Sequence, residues 1–110
     1  MLFAVLFEDE PSAPADLRRR HMADHLAFLE ANAASVRAAG PLAERSGAVG
    51  SGLWLVEAED AAAVEALVRA DPFWPTGLRR GVRILAWRQV FAEGRRLIEP
   101  DGSGGQRSVS

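Results

Sequence analysis

His21 and His25 are the only imidazoles in the chain, four residues apart in "RRRHMADHLAFL". Imidazole is the side-chain type whose ordinary pKa, about 6.5, lies close to neutral, so a histidine facing a cavity is a natural general acid or base. On a helix His25 falls at the edge of the stripe made by Met22, Leu26 and Leu29, while His21 is turned further toward solvent. The plainer reading of His25 is a half-buried ring bonded to a carbonyl. The chemical reading needs a carboxylate on its second ring nitrogen, to fix the tautomer and support the imidazolium. Asp71, in "ADPFWPTGL", is the leading candidate, against a plainer role of ending a turn before Pro72. The His-x-x-x-His spacing also suits a metal, but Asp24 points to a different face and no further ligand is near, so no metal is expected.

Other chemistry is poorly served. The chain has no cysteine, which removes disulfides and thiolate nucleophiles, and all thirteen basic residues are arginine, which removes a lysine Schiff base. Ser12, Ser35, Ser46 and Ser51 have no nucleophile-elbow context. "GAVGSG" (47–52) resembles a phosphate loop only superficially, since no helix follows it, and it reads as a flexible turn between strands. No cofactor is expected. Arg18, Arg19 and Arg20 read as a solvated helix face; in a second reading one of them meets an anionic substrate or a dimer partner.

With 110 residues the chain is expected to form one domain, and its net charge of −2 provides no electrostatic case for nucleic acid or an acidic membrane surface. "MLFAVLFEDE" has no basic leader pattern, and no apolar run approaches the roughly 20 residues of a membrane span. A soluble, cytoplasmic protein is expected.

The positioning elements follow from periodicity. "LFAVLF" (2–7) reads as a buried strand. A long helix is expected from about Asp16 to Ala39, with Met22, Leu26, Leu29, Ala33 and Val36 on one face and Gly40-Pro41 as its stop. "LAERSGAVGSG" reads as a loop with a short edge strand at its start. "LWLVEA" (53–58) is a second strand, and Asp60 is a suitable N-cap for a helix over 61–70 with Val64, Leu67 and Val68 inside. Residues 82–91, "VRILAWRQVF", read as the longest strand. The domain is expected over residues 1–98, with 99–110 a mobile tail.

This order predicts a ferredoxin-like α+β sandwich, an antiparallel sheet with both helices on one face. The first and last strands are apolar on both alternating faces: Leu2, Ala4 and Leu6 against Phe3, Val5 and Phe7 in the first. Two helices cover only one face, so the other predicts a homodimer packed sheet to sheet.

"HLAFL", "AAGPL", "GSGLWLVEAED", "ADPFWPTGL" and "VRILAWRQVF", in that order, resemble the YCII-related (YciI-like) family over roughly residues 1–91. The resemblance implies a dimeric α/β-barrel type assembly of ferredoxin-like subunits and a pocket with a histidine–aspartate dyad. The H-L-x-x-L motif selects His25 and the D-P-aromatic motif selects Asp71, as catalytic residues. It also implies that Phe73, Trp74, Gly40, Pro41 and Gly77 lie at the substrate pocket. This chain departs from the family in having Met22 where members often carry arginine, and Phe73 where tyrosine is frequent. The expected function is cofactor-independent acid/base chemistry, of lyase, dehydrochlorinase or isomerase type, on a small aromatic or enolic molecule. The alternative is a non-catalytic module that binds a small molecule or simply dimerises.

Overall fold

The computed structural model describes residues 1–104. Eight elements of helix and strand follow one another: β1 (Leu2–Asp9), α1 (Leu17–Ala31), β2 (Val36–Ala43), β3 (Val49–Glu57), α2 (Ala61–Ala70), β4 (Arg79–Ala86), and a short hairpin of β5 (Phe91–Ala92) and β6 (Arg95–Arg96). A 3₁₀ turn, Trp74–Thr76, lies between α2 and β4. The first four strands form one antiparallel sheet in the order β2-β3-β1-β4, with two helices, as the ferredoxin-like α+β reading requires.

Alternation along the central strand explains the core. Phe3, Val5 and Phe7 of β1 point to one face and are buried with Trp54 and Val56 of β3. Val64 and Val68 of α2 close the same cluster, and Phe28 and Leu29 of α1 pack against it, so both helices cover one side of the sheet. Each fully buried valine removes enough apolar surface to stabilise the fold by about 1.5–3 kcal/mol. Asp60 caps α2, its carboxylate accepting from the Ala63 amide at 2.9 Å. Val64 and Val68, one turn apart, then face the sheet.

The long helix is shorter than its periodicity suggests. α1 ends at Ala31, where Asn32 donates its side-chain amide to the Phe28 carbonyl at 2.9 Å and the chain turns through 32–35. Residues 36–43 form an edge strand instead, and Gly40-Pro41, expected to stop a helix, lies within it. Alanine-rich sequence favours helix locally, but pairing with β3 overrides that preference. Pro41 is tolerated because β2 is at the edge, where a missing N–H costs no ladder bond. β3 also starts earlier than expected, at Val49, and the turn between the strands is closed by the Glu44 amide on the Ala48 carbonyl at 2.8 Å.

The last strand is shifted as well. β4 runs from Arg79 to Ala86 rather than over 82–91, since β1 ends opposite it, with Trp87 donating to the Leu2 carbonyl. The hairpin that follows turns through Glu93 (φ 51°) and Gly94 (φ 81°), positive values that a tight two-residue turn demands. Of the expected tail, residues 99–104 begin with a turn closed by the Gly102 amide on Glu99, and residues 105–110 lie outside those described.

Gly77 ends the 3₁₀ turn at φ +83°, in the left-handed region. Gly77→Ala places a Cβ against the following carbonyl and is expected to lower stability by about 1–2 kcal/mol. A urea midpoint shifted by less than a few tenths of that, at unchanged slope, would contradict the strain.

Candidate active site

Every strand of the main sheet, together with α1 and the segment after α2, converges on one cavity. α1 supplies His25, β1 and β3 supply Phe7, Asp9 and Trp54, β2 supplies Gly40 and Pro41, the segment after α2 supplies Phe73, and β4 supplies Arg79, while Asp71 lies behind His25 and Arg79. The cavity has a volume of about 140 Å³, and its wall also includes Arg18, Met22 and Leu26. A space of that size takes roughly one six-membered ring.

His25 is buried at the centre of the helix face that meets the sheet, not at its edge. The inner residues of α1 are Leu17 and His25, with Phe28 partly covered, whereas Leu26 of the expected stripe is 50% exposed. A polar ring can occupy that central position because its polar atom is matched and its faces are packed. Nδ1 of His25 lies 2.8 Å from Oδ1 of Asp71, and the Phe73 ring stacks on the imidazole at 4.2 Å.

Asp71 is the C-cap of α2 and is fully buried. Pro72 has no N–H to offer, so the Asp71 side chain turns back and accepts from the Phe73 amide at 3.2 Å. Its other oxygen accepts from Arg79 Nη1 at 2.6 Å. Burial is the strongest influence on this carboxyl and pushes its pKa up. The hydrogen bond with His25, the Arg79 charge and the Phe73 amide together outweigh it, so the pKa is held below the ordinary carboxylate value. An ionised carboxylate can only accept, hence Nδ1 of His25 carries the proton and donates. The lone pair of the neutral ring is then on Nε2.

Nε2 has no partner among the described residues, and none of their buried side-chain nitrogens or oxygens is unsatisfied. Nε2 is therefore accessible, on a residue that lines the cavity. A ring nitrogen without a protein partner on a residue of the cavity wall, with the opposite nitrogen held by a carboxylate, is an arrangement suited to taking a proton.

The structure sorts the other candidates. His25, Asp71 and Phe73 come together, and Gly40 and Pro41 lie on the cavity wall. Trp74 and Gly77 do not line it. The 3₁₀ turn carries Trp74 round to the α2 side, where its ring packs against the core and the Arg69 guanidinium lies 5.6 Å from the ring centre. Gly77 instead serves the left-handed turn. His21 is not on the wall either, and among the described residues no group of three or more His, Cys, Asp or Glu is placed to hold a metal. Of the arginine run, Arg18 reaches the cavity and pairs with Asp9 at 2.5 Å, Arg20 pairs with Asp16, and Arg19 is exposed.

Arg79 had no signal in the sequence. Strict alternation from Val82, Ile84 and Ala86, which face the helices, would put residue 79 on the opposite face. A bulge intervenes: Glu8 pairs with Gly81 and Asp9 with Arg79, so Arg80 is the extra residue. Arg80 turns outward to Glu8 at 2.7 Å. Arg79 turns inward, its guanidinium 3.9 Å above the Phe7 ring and its side chain only 5% exposed.

A family model described as the YCII-related domain matches residues 1–88. Among solved structures, the chain is similar to a 5-chloro-2-hydroxyhydroquinone dehydrochlorinase from Burkholderia phenoliruptrix AC1100, solved in complex with 2,5-dihydroxybenzoquinone. The two are 28% identical, with a TM-score of 0.67 over 80% of this chain and 94% of that one. An uncharacterised NIPSNAP domain protein from Burkholderia xenovorans is 17% identical, with a TM-score of 0.47 over 84% and 98% of the two chains. A protein from Mycobacterium tuberculosis is 20% identical, with a TM-score of 0.46 over 81% and 97%. No curated protein matches the chain.

Proposed function

Because this chain belongs to the YCII-related family, we propose that it is a cofactor-independent acid/base enzyme acting on a small hydroxylated aromatic or enolic molecule. The observation that carries the reading is the 2.8 Å contact of His25 Nδ1 with a buried, ionised Asp71, which leaves Nε2 free on a residue that lines a one-ring cavity. A binding module would tolerate a buried or unpaired histidine. Nε2 takes a proton from a hydroxyl or from a carbon beside a carbonyl, and the electron pair left behind forms an enolate. The enolate takes a proton back at another atom, which is isomerisation. Where that atom is a ring carbon bearing a leaving group, the carbon becomes tetrahedral, and loss of a second hydroxyl proton then expels the leaving anion with its bonding pair, which is elimination. Asp71 stays ionised and offsets the imidazolium charge. The similarity to a dehydrochlorinase supports the elimination branch, with a chlorinated hydroxyhydroquinone as the first compound to try. Chloride release and quinone absorbance, followed together, test it. Neither chloride nor any isomer from a panel of chlorinated and unchlorinated quinols would end the proposal.

The protein acts as a homodimer in this proposal. The sheet face away from the helices carries Leu2, Leu6 and Leu55, each part-covered, and Leu85, 39% exposed. Such a face favours sheet-to-sheet association. Light scattering is expected to give twice the chain mass at micromolar concentration, and Leu55→Arg to give a monomer. A monomeric parent protein would sink the dimer.

A further inference from the structure

Arg79 offers more donors than the protein uses. A guanidinium carries five N–H groups in one plane and accepts nothing. Nη1 donates to Asp71, while Nε and Nη2 have no acceptor among the described residues. None of the buried side-chain nitrogens there is unsatisfied, so these two atoms retain access on a side chain that is 5% exposed and lines the cavity. The Phe7 ring covers one face of the group at 3.9 Å, with Trp54 at 5.4 Å and Phe73 at 5.3 Å around it. Aromatic rings accept no strong hydrogen bond from the plane's edge. The guanidinium is thus packed among rings on the cavity wall with two of its nitrogens unmet, an arrangement whose matching ligand is an oxyanion.

From this we infer that the cavity binds planar, singly charged oxyanions, a phenolate or enolate oxygen resting on the free edge of Arg79 beside Nε2 of His25. The inference deepens the proposed acid/base reading and rests on it for the kind of molecule bound. Arg79 is then a substrate-binding residue, where the helix arginines 18–20 had been the candidates. Charge bookkeeping agrees: the Asp9–Arg18 and Asp71–Arg79 pairs each cancel, so the wall is neutral at rest. A substrate hydroxyl that passes its proton to His25 leaves one anion against one imidazolium. The oxyanion is stabilised where it forms, by a donor that needs no rearrangement.

Two probes of nearly one shape separate the cases: 4-nitrophenolate, at a pH where the phenol is ionised, and uncharged nitrobenzene. Calorimetry on the parent protein is expected to favour the anion by roughly tenfold or more, the scale of one charge-assisted hydrogen bond. Arg79→Met is expected to lose that preference while still binding nitrobenzene. His25→Ala is expected to keep it, which separates this inference from the dyad, whose readout is turnover. If Arg79→Met fails to fold, Arg79→Met/Asp71→Asn removes the pair without stranding a charge and is expected to show no preference. The inference is overturned by equal affinity in the parent protein, by a preference that survives in either methionine variant or vanishes in His25→Ala, or by failure of both probes to bind at millimolar concentration.

Discussion

His25→Ala is expected to cut turnover of any accepted substrate by roughly 10²- to 10⁴-fold, the usual contribution of a positioned general base. The loss should fall on kcat, because the ring's removal leaves the cavity walls in place: Phe7, Trp54 and Arg79 belong to the sheet, not to α1. Asp71→Asn acts differently. An amide NH₂ facing Nδ1 favours the tautomer with its proton on Nε2, which blocks the accepting nitrogen. Its turnover should therefore fall while 4-nitrophenolate still binds. His21→Ala, one turn away and off the wall, should change little. Steady-state kinetics on the three variants decides. A His25→Ala protein within threefold of the parent would remove the base from the mechanism.

The second large effect is on stability. Asp71 is fully buried and accepts from three donors: His25 Nδ1, Arg79 Nη1 and the Phe73 amide. Asp71→Ala strands the Arg79 guanidinium at 5% exposure without its hydrogen-bonded carboxylate. Breaking one side of a buried pair typically costs about 3–5 kcal/mol, and that range is expected here by urea denaturation. Asp71→Leu/Arg79→Met, which removes both charges and keeps apolar volume, should recover most of the loss. A single variant within about 1 kcal/mol of the parent would show that the pair does not hold the fold. The acid limb follows from the same pair. The folded state holds Asp71 below its ordinary pKa, so the unfolded chain binds its proton more readily. The stabilisation is complete above about 3.9, the unfolded value, and is lost as pH falls through the lower folded one. Parent and Asp71→Asn denaturation curves should converge over that acid window and diverge above it.

Residue types alone decided much about this protein. The lack of cysteine and lysine narrowed the chemistry to imidazole and carboxylate, and the apolar face of β1 formed by Phe3, Val5 and Phe7 called for helices to cover it. Asp60 and the Val64/Val68 pair were legible because an N-cap and an i,i+4 face are local facts. His25 and Asp71 could be singled out by type and motif, but not their 2.8 Å contact across 46 residues. Local rules failed where pairing competed with propensity. The Ala-rich segment 33–39 reads as helix, yet most of it is edge strand, because β3 offers it a hydrogen-bonded partner that no local window contains. The α1 face was misjudged for a related reason: counting apolar residues turns the inner face toward Leu26, whereas a matched and stacked His25 occupies its centre. Arg79 is the strongest case. In "GLRRGV" it is one of two equivalent arginines, and only the bulge opposite Glu8 and Asp9 sends Arg80 to solvent and Arg79 under the cavity. Side-chain direction in a strand has period two, so one extra residue reverses it, and where that residue falls is set by the neighbouring strand.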